Sequence, residues 1–170
     1  MEDTVSKTEF RDAMSRVCAP VNVITTNGPA GRGGFTATAM CSVTDEPPTL
    51  LVCMNGRSAQ SGLFLENRRF CVNVLANDHQ ELAGYFAGKQ ADMSARYAAA
   101  HWVDMPSGSQ ALADAMVSFD CRLVEAKMVG THNIFIGQVI GIRSRPDGEA
   151  LLYFDRNYVR VPSQVGSFGG

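Results

Sequence analysis

The sequence predicts a mainly β protein with short helices, in which the strands form a closed antiparallel barrel. Three observations lead to this fold class. Short runs rich in Val, Ile, Thr and Phe recur along the 170-residue chain, Gly and Pro fall between them, and helical periodicity is confined to brief stretches. The length suits one domain, which we expect to span residues 1–162, followed by a flexible Ser- and Gly-rich tail at 163–170.

The N-terminal elements are predicted to be a helix and a β-hairpin. Ser6 and Glu9 have the spacing of a capping box, and apolar residues follow at helical intervals, so residues 7–17 should form a short amphipathic helix. Residues 21–26 (VNVITT) alternate and are β-branched, which indicates a strand. A Gly- and Pro-containing loop at 27–34 then turns the chain back into a strand with the sequence FTATAMCSV.

The stretch 33–48 (GGFTATAMCSVTDEPP) is the most informative part of the chain. It carries small hydroxylic and apolar side chains where a strand usually carries bulky ones, so a planar heterocycle could lie against its backbone, although an ordinary half-exposed strand has the same composition. The next segment favours a binding site. Pro47 and Pro48 end the strand, and an apolar run at 49–54 leads to Ser58, a candidate helix N-cap. Helix N-termini attract anions, so the sequence predicts a nucleotide-like site.

The middle of the chain is predicted to contain a strand followed by a helix. Residues 70–75 (FCVNVL) form the strand. Asp78 and Glu81 are spaced to cap the helix, which carries Leu82 and Phe86 on one apolar face.

The C-terminal half returns to strands, after a mixed segment at 88–114 that has no clear pattern. Residues 117–123 alternate between apolar and polar side chains, which predicts a strand with one buried face. Residues 134–142 form a second such strand. Residues 145–148 (RPDG) supply a turn, and 151–154 begin a third strand.

Composition and charge exclude several functional classes. The net charge is −2 and the pI is about 5.9, without a basic run, which argues against a nucleic-acid-binding protein. The N-terminus lacks a signal-peptide pattern, and no apolar run approaches the roughly 20 residues that cross a bilayer, so we expect a cytoplasmic protein without membrane contact. The five cysteines form no CxxC pair and the three histidines have no metal-ligand spacing, so neither disulfides nor a metal site are predicted.

Two common nucleotide-binding motifs are excluded. Gly28 and Gly33 have the Walker A separation, but Gly34 and Phe35 stand where Lys and Ser or Thr are required. The same glycine cluster fails as a dinucleotide fingerprint, because Thr36 stands where the third glycine must be and no βαβ pattern surrounds it.

Four segments together resemble one known family. They are VNVITTNGPAGRGGFTATAMCSVTDEPPTLLVCMN, NRRFCVNVL, VGTHNIFIGQV and LLYFDRNY, in this order, and the resemblance covers roughly residues 9–160. The chain is similar to the short-chain flavin reductases of two-component monooxygenase systems. These include the reductase component of 4-hydroxyphenylacetate 3-monooxygenase and the flavin reductase of pyrimidine utilisation.

The resemblance implies an FMN-binding split β-barrel that forms a homodimer. Such an enzyme uses NADH or NADPH to reduce FMN or FAD, and it supplies the reduced flavin to a partner monooxygenase. Hydride passes directly from nicotinamide C4 to flavin N5 when the rings stack about 3 to 3.5 Å apart. The absence of an acid–base triad from the sequence is therefore no argument against catalysis.

The resemblance also implies where the site residues lie. The strand at 36–43 matches one that runs beside the isoalloxazine ring, and the segment around Ser58 matches one near the ribityl chain and phosphate. Tyr158 matches a position close to the stacked rings, with Arg156 as a candidate for contacting phosphate. Phe86 matches an aromatic near the flavin, although a core residue on a helix face explains it equally well. The implied flavin-binding residues are Thr36, Ala37, Thr38, Ala39, Ser42, Val43, Asn55, Ser58, Ala59, Phe86 and Tyr158.

One short motif implies a catalytic residue. Gly130, Thr131 and His132 match a Gly-Asp-His segment that the family associates with the nicotinamide nucleotide. Thr131 replaces the acidic residue, so any role of that carboxylate does not carry over. His132 keeps its place and is the implied catalytic residue, although a lone His at a strand start is more often structural.

Two other functions stay open. One is a reductase that passes electrons from a bound flavin to a non-flavin acceptor, such as a cob(II) corrinoid. The other is a non-catalytic flavin- or haem-binding module with the same fold. The GTH and YFDRNY segments favour the flavin reductase, since a mere carrier has no clear use for them.

Overall fold

The computed structural model describes residues 4–162, so the tail expected at 163–170 lies outside the described residues. The fold is mainly β with short helices, as predicted. A 3₁₀ turn (Asn77–His79) precedes the third helix, and a π-helical turn (Tyr85–Lys89) follows it. The helices are α1 (Lys7–Met14), α2 (Ser61–Asn67), α3 (Gln80–Gly84) and α4 (Met93–Ala98). The strands are β1 (Ala19–Pro20), β2 (Asn22–Thr26), β3 (Gly33–Ala37), β4 (Met40–Asp45), β5 (Pro48–Asn55), β6 (Arg69–Val74), β7 (Trp102–Asp104), β8 (Gln110–Leu112), β9 (Val117–Val129), β10 (His132–Ser144), β11 (Glu149–Phe154) and β12 (Asn157–Pro162).

Seven strands form one antiparallel sheet in the order β3-β2-β6-β9-β10-β5-β4. Strands β3 and β4 stand at opposite edges, although only Thr38 and Ala39 join them in the chain. A flat seven-stranded sheet would separate its edges by about 29 Å, whereas this linker spans at most about 11 Å. The sheet therefore curls until its edges approach. Within residues 4–162, β3 and β4 do not pair, so the closed barrel predicted from the turn pattern is wrong and the barrel is split.

The barrel interior is apolar and is closed at one end by α2. Phe64 of α2 packs edge-to-face on Phe35, with ring centroids 5.3 Å apart, and stacks on Phe135 at 5.8 Å. Gly137 leaves room for Phe70, because a Cβ at residue 137 would lie 2.4 Å from that ring. This packing fixes α2 and hence the turn that precedes it.

A second apolar cluster lies under the helical segment formed by α3, the π-helical turn and α4. Leu82 and Phe86 are buried there, so the predicted apolar helix face is confirmed. Phe86 packs against Tyr97 and Trp102, with centroid distances of 5.4 and 5.8 Å, and these two rings also contact each other at 4.8 Å. Two smaller sheets complete the fold, one with the order β1-β11-β12 and the other the β7-β8 hairpin.

The strand predicted as FTATAMCSV is two strands. The chain leaves β3 after Ala37 and enters β4 at Met40, because it must cross the split from one sheet edge to the other. The hairpin of β2 with β3 is confirmed by their antiparallel pairing. The apolar run at 49–54 is the central part of β5.

Two helices begin at different residues from those predicted. The N-cap position of α2 is Gln60 rather than Ser58, because the chain first makes a turn in which Ser58 N–H donates to the Asn55 carbonyl at 3.0 Å. Asp78 caps no helix. The Ala76 N–H donates instead to Nδ1 of His79 at 3.0 Å. The Ser6–Glu9 capping box is confirmed, although α1 ends at Met14 rather than at residue 17.

The alternation at 117–123 predicted a strand with one buried face, but both faces of β9 are covered at its start. Ser118 and Asp120 are buried. Ser118 Oγ donates to Asn73 Oδ1 at 2.8 Å, and the backbone N–H of Ser107 donates to Asp120 at 2.8 Å. None of the helices in the described part of the chain is long and apolar enough to cross a membrane.

Candidate functional site

A cleft of about 630 Å³ opens at the split in the barrel. Its walls are β3, the β3–β4 linker, the end of β5 with the turn after it, and the helical segment from the π-helical turn to α4. This volume lies within the range of about 300–1,000 Å³ that is usual for small-molecule sites. The residues expected from the family resemblance that line it are Thr36, Ala37, Thr38, Ala39, Asn55, Ser58, Ala59, Phe86 and His132.

Ser42, Val43 and Tyr158 lie outside this cleft. The break after Ala37 carries β4 to the opposite sheet edge, where Ser42 lines a separate hollow on the inner face of the sheet and Val43 is exposed beside a bulge. Tyr158 lies on β12 against Tyr153, with ring centroids 5.6 Å apart. Burial raises the pKa of Tyr158, and the neighbouring Tyr153 adds to that shift.

The floor of the cleft is formed by β3, where Gly34, Thr36 and Ala37 are small and the bulky Phe35 packs on Phe64. A Cβ at Gly34 would lie 2.7 Å from Phe86 Cε1, so the glycine gives room to this ring. Phe86 is only 2% exposed and is chiefly a core residue whose edge reaches the cleft. Thr36 Oγ1 donates to the Ala83 carbonyl at 2.7 Å, so its hydroxyl proton joins β3 to α3 and is not available to a ligand.

The β3–β4 linker offers two backbone donors. Its carbonyls are taken, since Thr38 O accepts from Met40 N–H and Ala39 O accepts from Cys53 N–H, both at 3.0 Å. The N–H groups of Thr38 and Ala39 have no partner within residues 4–162, and both residues are exposed at the cleft. An acceptor on a bound molecule would satisfy them.

The turn after β5 adds further polar groups. Asn55 Oδ1 accepts from Arg57 N–H at 3.0 Å, and Ser58 Oγ accepts from Gln60 N–H at 3.2 Å, so the turn is held by its own side chains. The Ala59 N–H has no partner in the described chain. Gln60 Oε1 is buried beside the cleft and also lacks a hydrogen bond there, so it is free to accept one from a ligand.

His132 stands at the mouth of the cleft, as the first residue of β10 and opposite Asn55 of β5. Its side chain is exposed, and its Nδ1 lies 3.0 Å from Thr131 Oγ1. The hydroxyl that replaces the acidic residue of the family motif therefore still contacts the imidazole. It supplies a hydrogen bond without a negative charge.

Sequence reasoning missed Arg96, which lines the cleft from α4. Asp92 caps α4 by accepting from Ser94 N–H at 3.1 Å. This capping residue was the sequence signal that could have predicted the helix that carries Arg96. Gly88, with a φ of 110°, is the non-helical residue within the π-helical turn, and it changes the direction of the chain ahead of α4. Arg96 Nε donates to the Gln90 carbonyl at 2.6 Å.

Two groups beside the cleft titrate abnormally. Burial raises the pKa of Tyr97 well above its usual range, so its hydroxyl stays protonated and donates to the Gly33 carbonyl at 2.9 Å. Burial also raises the pKa of the Cys53 thiol, and the neighbouring Cys41 adds to this shift. A thiol with a raised pKa is a poor nucleophile at neutral pH, which argues against covalent catalysis at Cys53.

One cluster elsewhere has ligand atoms close enough to hold a metal ion, formed by Asp78, His79 and Asp114. The Ala76 N–H donates to His79 Nδ1, so the proton of a neutral ring belongs on Nε2, which faces Asp114 Oδ1 at 3.2 Å. A metal at Nε2 would need that nitrogen deprotonated. The cluster therefore fits a structural contact better than a metal site.

The chemistry of the cleft fits a flavin. A floor with several small side chains suits a planar ring, and the linker N–H groups match ring acceptors. The unsatisfied Gln60 Oε1 matches a ring or ribityl donor, and Arg96 matches a phosphate.

Comparison with known proteins agrees with this chemistry. The family model of the flavin reductase like domain matches residues 14–162. The FMN reductase (NADH) RutF of Pantoea ananatis is 47% identical over 164 residues, covering 96% of this chain and 86% of the relative. RutF of Variovorax paradoxus is 50% identical over 155 residues, covering 91% of this chain and 86% of the relative.

Solved structures agree with the fold. A crystal structure from Haemophilus somnus has a TM-score of 0.89 and 40% identity, covering 92% of this chain and all of the other. BorF, the flavin reductase component of a bacterial two-component tryptophan halogenase, has a TM-score of 0.85 and 28% identity, covering 94% of this chain and all of BorF. From its sequence, its split sheet and its cleft, this chain belongs to the family of proteins with a flavin reductase like domain.

Proposed function

We propose that the protein is an NADH-dependent flavin reductase with FMN as its flavin. The relatives named FMN reductase (NADH) from Pantoea ananatis and Variovorax paradoxus support this, at 47 and 50% identity over 86% of their length. The observation that carries the proposal is the cleft at the barrel split, which brings together unpaired backbone N–H groups, an unsatisfied amide oxygen and an arginine around a floor of mostly small side chains.

The chain's part in the reaction is to bind and orient two rings. A bound flavin supplies the N5 atom that accepts hydride from nicotinamide C4. The unpaired N–H groups of Thr38 and Ala39 would hold the ring edge that gains negative charge, and these fixed dipoles would favour the reduced, anionic ring. The barrel strands hold these donors in place, so little reorganisation is needed at the moment of transfer.

His132 is proposed to orient the nicotinamide at the mouth of the cleft. Its place opposite Asn55 and its contact with Thr131 support this role, because both restrict the imidazole. No residue is required as an acid or base for the hydride step itself.

The reduced flavin is proposed to pass to a partner monooxygenase. BorF supports this, because it is the reductase component of a two-component system. FAD and NADPH are expected to be weaker substrates than FMN and NADH. A cytoplasmic location stays a prediction of the sequence.

A homodimer is also proposed. An apolar hollow of about 510 Å³ on the inner face of the sheet, open to solvent beside the exposed Ile142, supports it. It is lined by Met40, Leu50, Phe119, Val139 and Ile142 among others. Exposed apolar surface of this kind is typical of an interface. Sedimentation at micromolar concentration should give a dimer, and Ile142→Lys should shift it toward monomer. A monomeric parent protein would contradict the proposal.

The proposed activity is tested by NADH oxidation with FMN, FAD and a cob(II) corrinoid in turn. We expect FMN to support the highest kcat/KM. Reduction of the corrinoid alone would identify the protein as a reductase of a non-flavin acceptor. Tight flavin binding without NADH oxidation would identify it as a flavin-binding module. Either result would overturn the proposal.

A further inference from the structure

Arg96 is distinctive among the described residues that line the cleft, because no other Arg, Lys, Asp or Glu is found there. Its guanidinium is fixed by a single hydrogen bond, from Nε to the Gln90 carbonyl at 2.6 Å. Neither terminal nitrogen has a hydrogen-bond or ion-pair partner in the part of the chain that the structure describes. The residue is half-buried, so its charge lacks both full hydration and a counter-ion.

The position of Arg96 places this charge at one end of β3. The next residue, Tyr97, donates its hydroxyl proton to the Gly33 carbonyl at 2.9 Å. The side chain of Gln60 lies at the same glycine, since a Cβ on Gly33 would be 2.4 Å from Gln60 Oε1. Helix α4 and the turn after β5 therefore approach each other across the start of β3.

That turn offers two neutral groups that line the same cleft as Arg96. The Ala59 N–H is unpaired in the described chain, and Ser58 uses its Oγ only as an acceptor, so its hydroxyl proton remains available. A guanidinium, a backbone N–H and a hydroxyl together form a typical phosphate-binding set.

The other end of β3 has a different chemistry. Thr38 and Ala39 provide N–H groups and no charge, as expected for a site that contacts a neutral ring. Residues 34–38 span about 13 Å in extended conformation. The cleft therefore has an anion-binding end near Gly33 and a ring-binding end at the linker.

We propose that Arg96 binds the terminal phosphate of FMN and makes the cleft selective for a flavin that ends in a phosphomonoester. This rests on the proposed function, because it assumes that the cleft holds flavin. The monoester is close to a dianion at neutral pH and can pair with the guanidinium through two oxygens. Riboflavin has no phosphate at this position. In FAD the same phosphate carries only one negative charge, because its other oxygen links it to the second phosphate and the adenosine.

The test compares flavins rather than activities. Quenching of flavin fluorescence gives the Kd of FMN and of riboflavin for the parent protein, Arg96→Gln and Arg96→Lys. We expect Arg96→Gln to weaken FMN binding about 10- to 100-fold while leaving riboflavin binding unchanged, and Arg96→Lys to lose less. The FMN Kd of the parent should rise with salt concentration more steeply than that of Arg96→Gln.

Arg32→Gln is the matched control. Arg32 stacks on the Tyr97 ring, 4.2 Å from its centroid, but does not line the cleft, so its loss should not change the ratio of the two Kd values. An equal loss of FMN and riboflavin affinity in Arg96→Gln, or no loss of either, would overturn the inference. If Arg96→Gln does not fold, the ratio of the FMN Kd to the riboflavin Kd in Arg96→Lys tests the inference. A parent protein that binds neither flavin would refute the proposed function instead.

Discussion

The backbone N–H of Cys53 donates a 3.0 Å hydrogen bond to the carbonyl oxygen of Ala39. This bond attaches the β3–β4 linker to β5 at the split in the barrel, and both residues line the cleft. It holds the linker with its carbonyls turned to the sheet. The N–H groups of the linker are left for a ligand.

We expect Gly34→Ala to destabilise the protein by about 1–3 kcal/mol. The added Cβ would lie 2.7 Å from Phe86 Cε1 and 3.0 Å from the Ile24 carbonyl oxygen, which belongs to a central strand and has little room to move. Urea unfolding measures the change. Gly62→Ala is the control, because a Cβ there meets nothing within 4 Å and Ala favours the helix by up to about 1 kcal/mol. Equal stability of the two variants would contradict this reading.

We expect His132→Ala to slow hydride transfer more than it weakens flavin binding. The imidazole stands at the mouth of the cleft, where it can contact the nicotinamide, and it is not needed to hold the flavin ring. Stopped-flow reduction of bound flavin measures the rate, and fluorescence titration measures the affinity. His101→Ala, an exposed histidine outside the cleft, should change neither. An unchanged reduction rate in His132→Ala would refute this role.

Asn73→Ala should cost about 3 kcal/mol or more of the free energy of unfolding. The buried amide donates from Nδ2 to the Val23 carbonyl at 3.0 Å and accepts at Oδ1 from Leu112 N–H and Ser118 Oγ, both at 2.8 Å. Its loss leaves several buried polar groups without partners. Asn77→Ala removes an amide that is only half-buried, and should cost less than about 1 kcal/mol in the same urea titration. A small loss of unfolding free energy in both variants would show that the hydrogen bonds of Asn73 add little to stability.

Stability should fall at alkaline pH because of two buried thiols. Burial raises the pKa of Cys71 and Cys121, and the neighbouring Asp120 adds to both shifts. The folded protein therefore keeps these protons above about pH 8.5, where the unfolded chain releases them. The free energy of unfolding then falls with rising pH, by up to about 1.4 kcal/mol per pH unit for each thiol. Below that pH the two thiols add no pH dependence.

Urea titrations between about pH 7 and about pH 10 measure this slope. Cys121→Ala should make it shallower, and Cys18→Ala, at an exposed position, should not. A slope that is the same in the parent and in Cys121→Ala would show that another group dominates.

The sequence was a good guide to elements whose signals are local. The Ser6–Glu9 capping box depends on neighbours three residues apart, and it is present. The alternation around Ser118 and Asp120 failed as a guide to burial, because Ser107, which covers Asp120, lies in the stretch 88–114 that has no clear sequence pattern. The residue pattern of a strand does not show whether another segment packs on its polar face.

The cleft could be predicted only in part, because some of its residues are neighbours in the sequence and others are not. The small residues at 36–39 are visible in the sequence, and they line the cleft. Arg96 has no sequence link to β3, since only the packing of α3 and the change of chain direction at Gly88 bring it there. The placement of Ser42 and Val43 outside the cleft follows from the crossing of the split, which a continuous run of strand-forming residues conceals.

The short β3–β4 linker also restricts how this chain can change in length. One residue added between Ala37 and Met40 would move β4 by one position against β5, and would turn every side chain of β4 to the other face. The same insertion would displace the N–H groups of Thr38 and Ala39 from the cleft. Insertions and deletions in homologues should therefore gather at peripheral turns, such as the one between β11 and β12, and should spare these two positions.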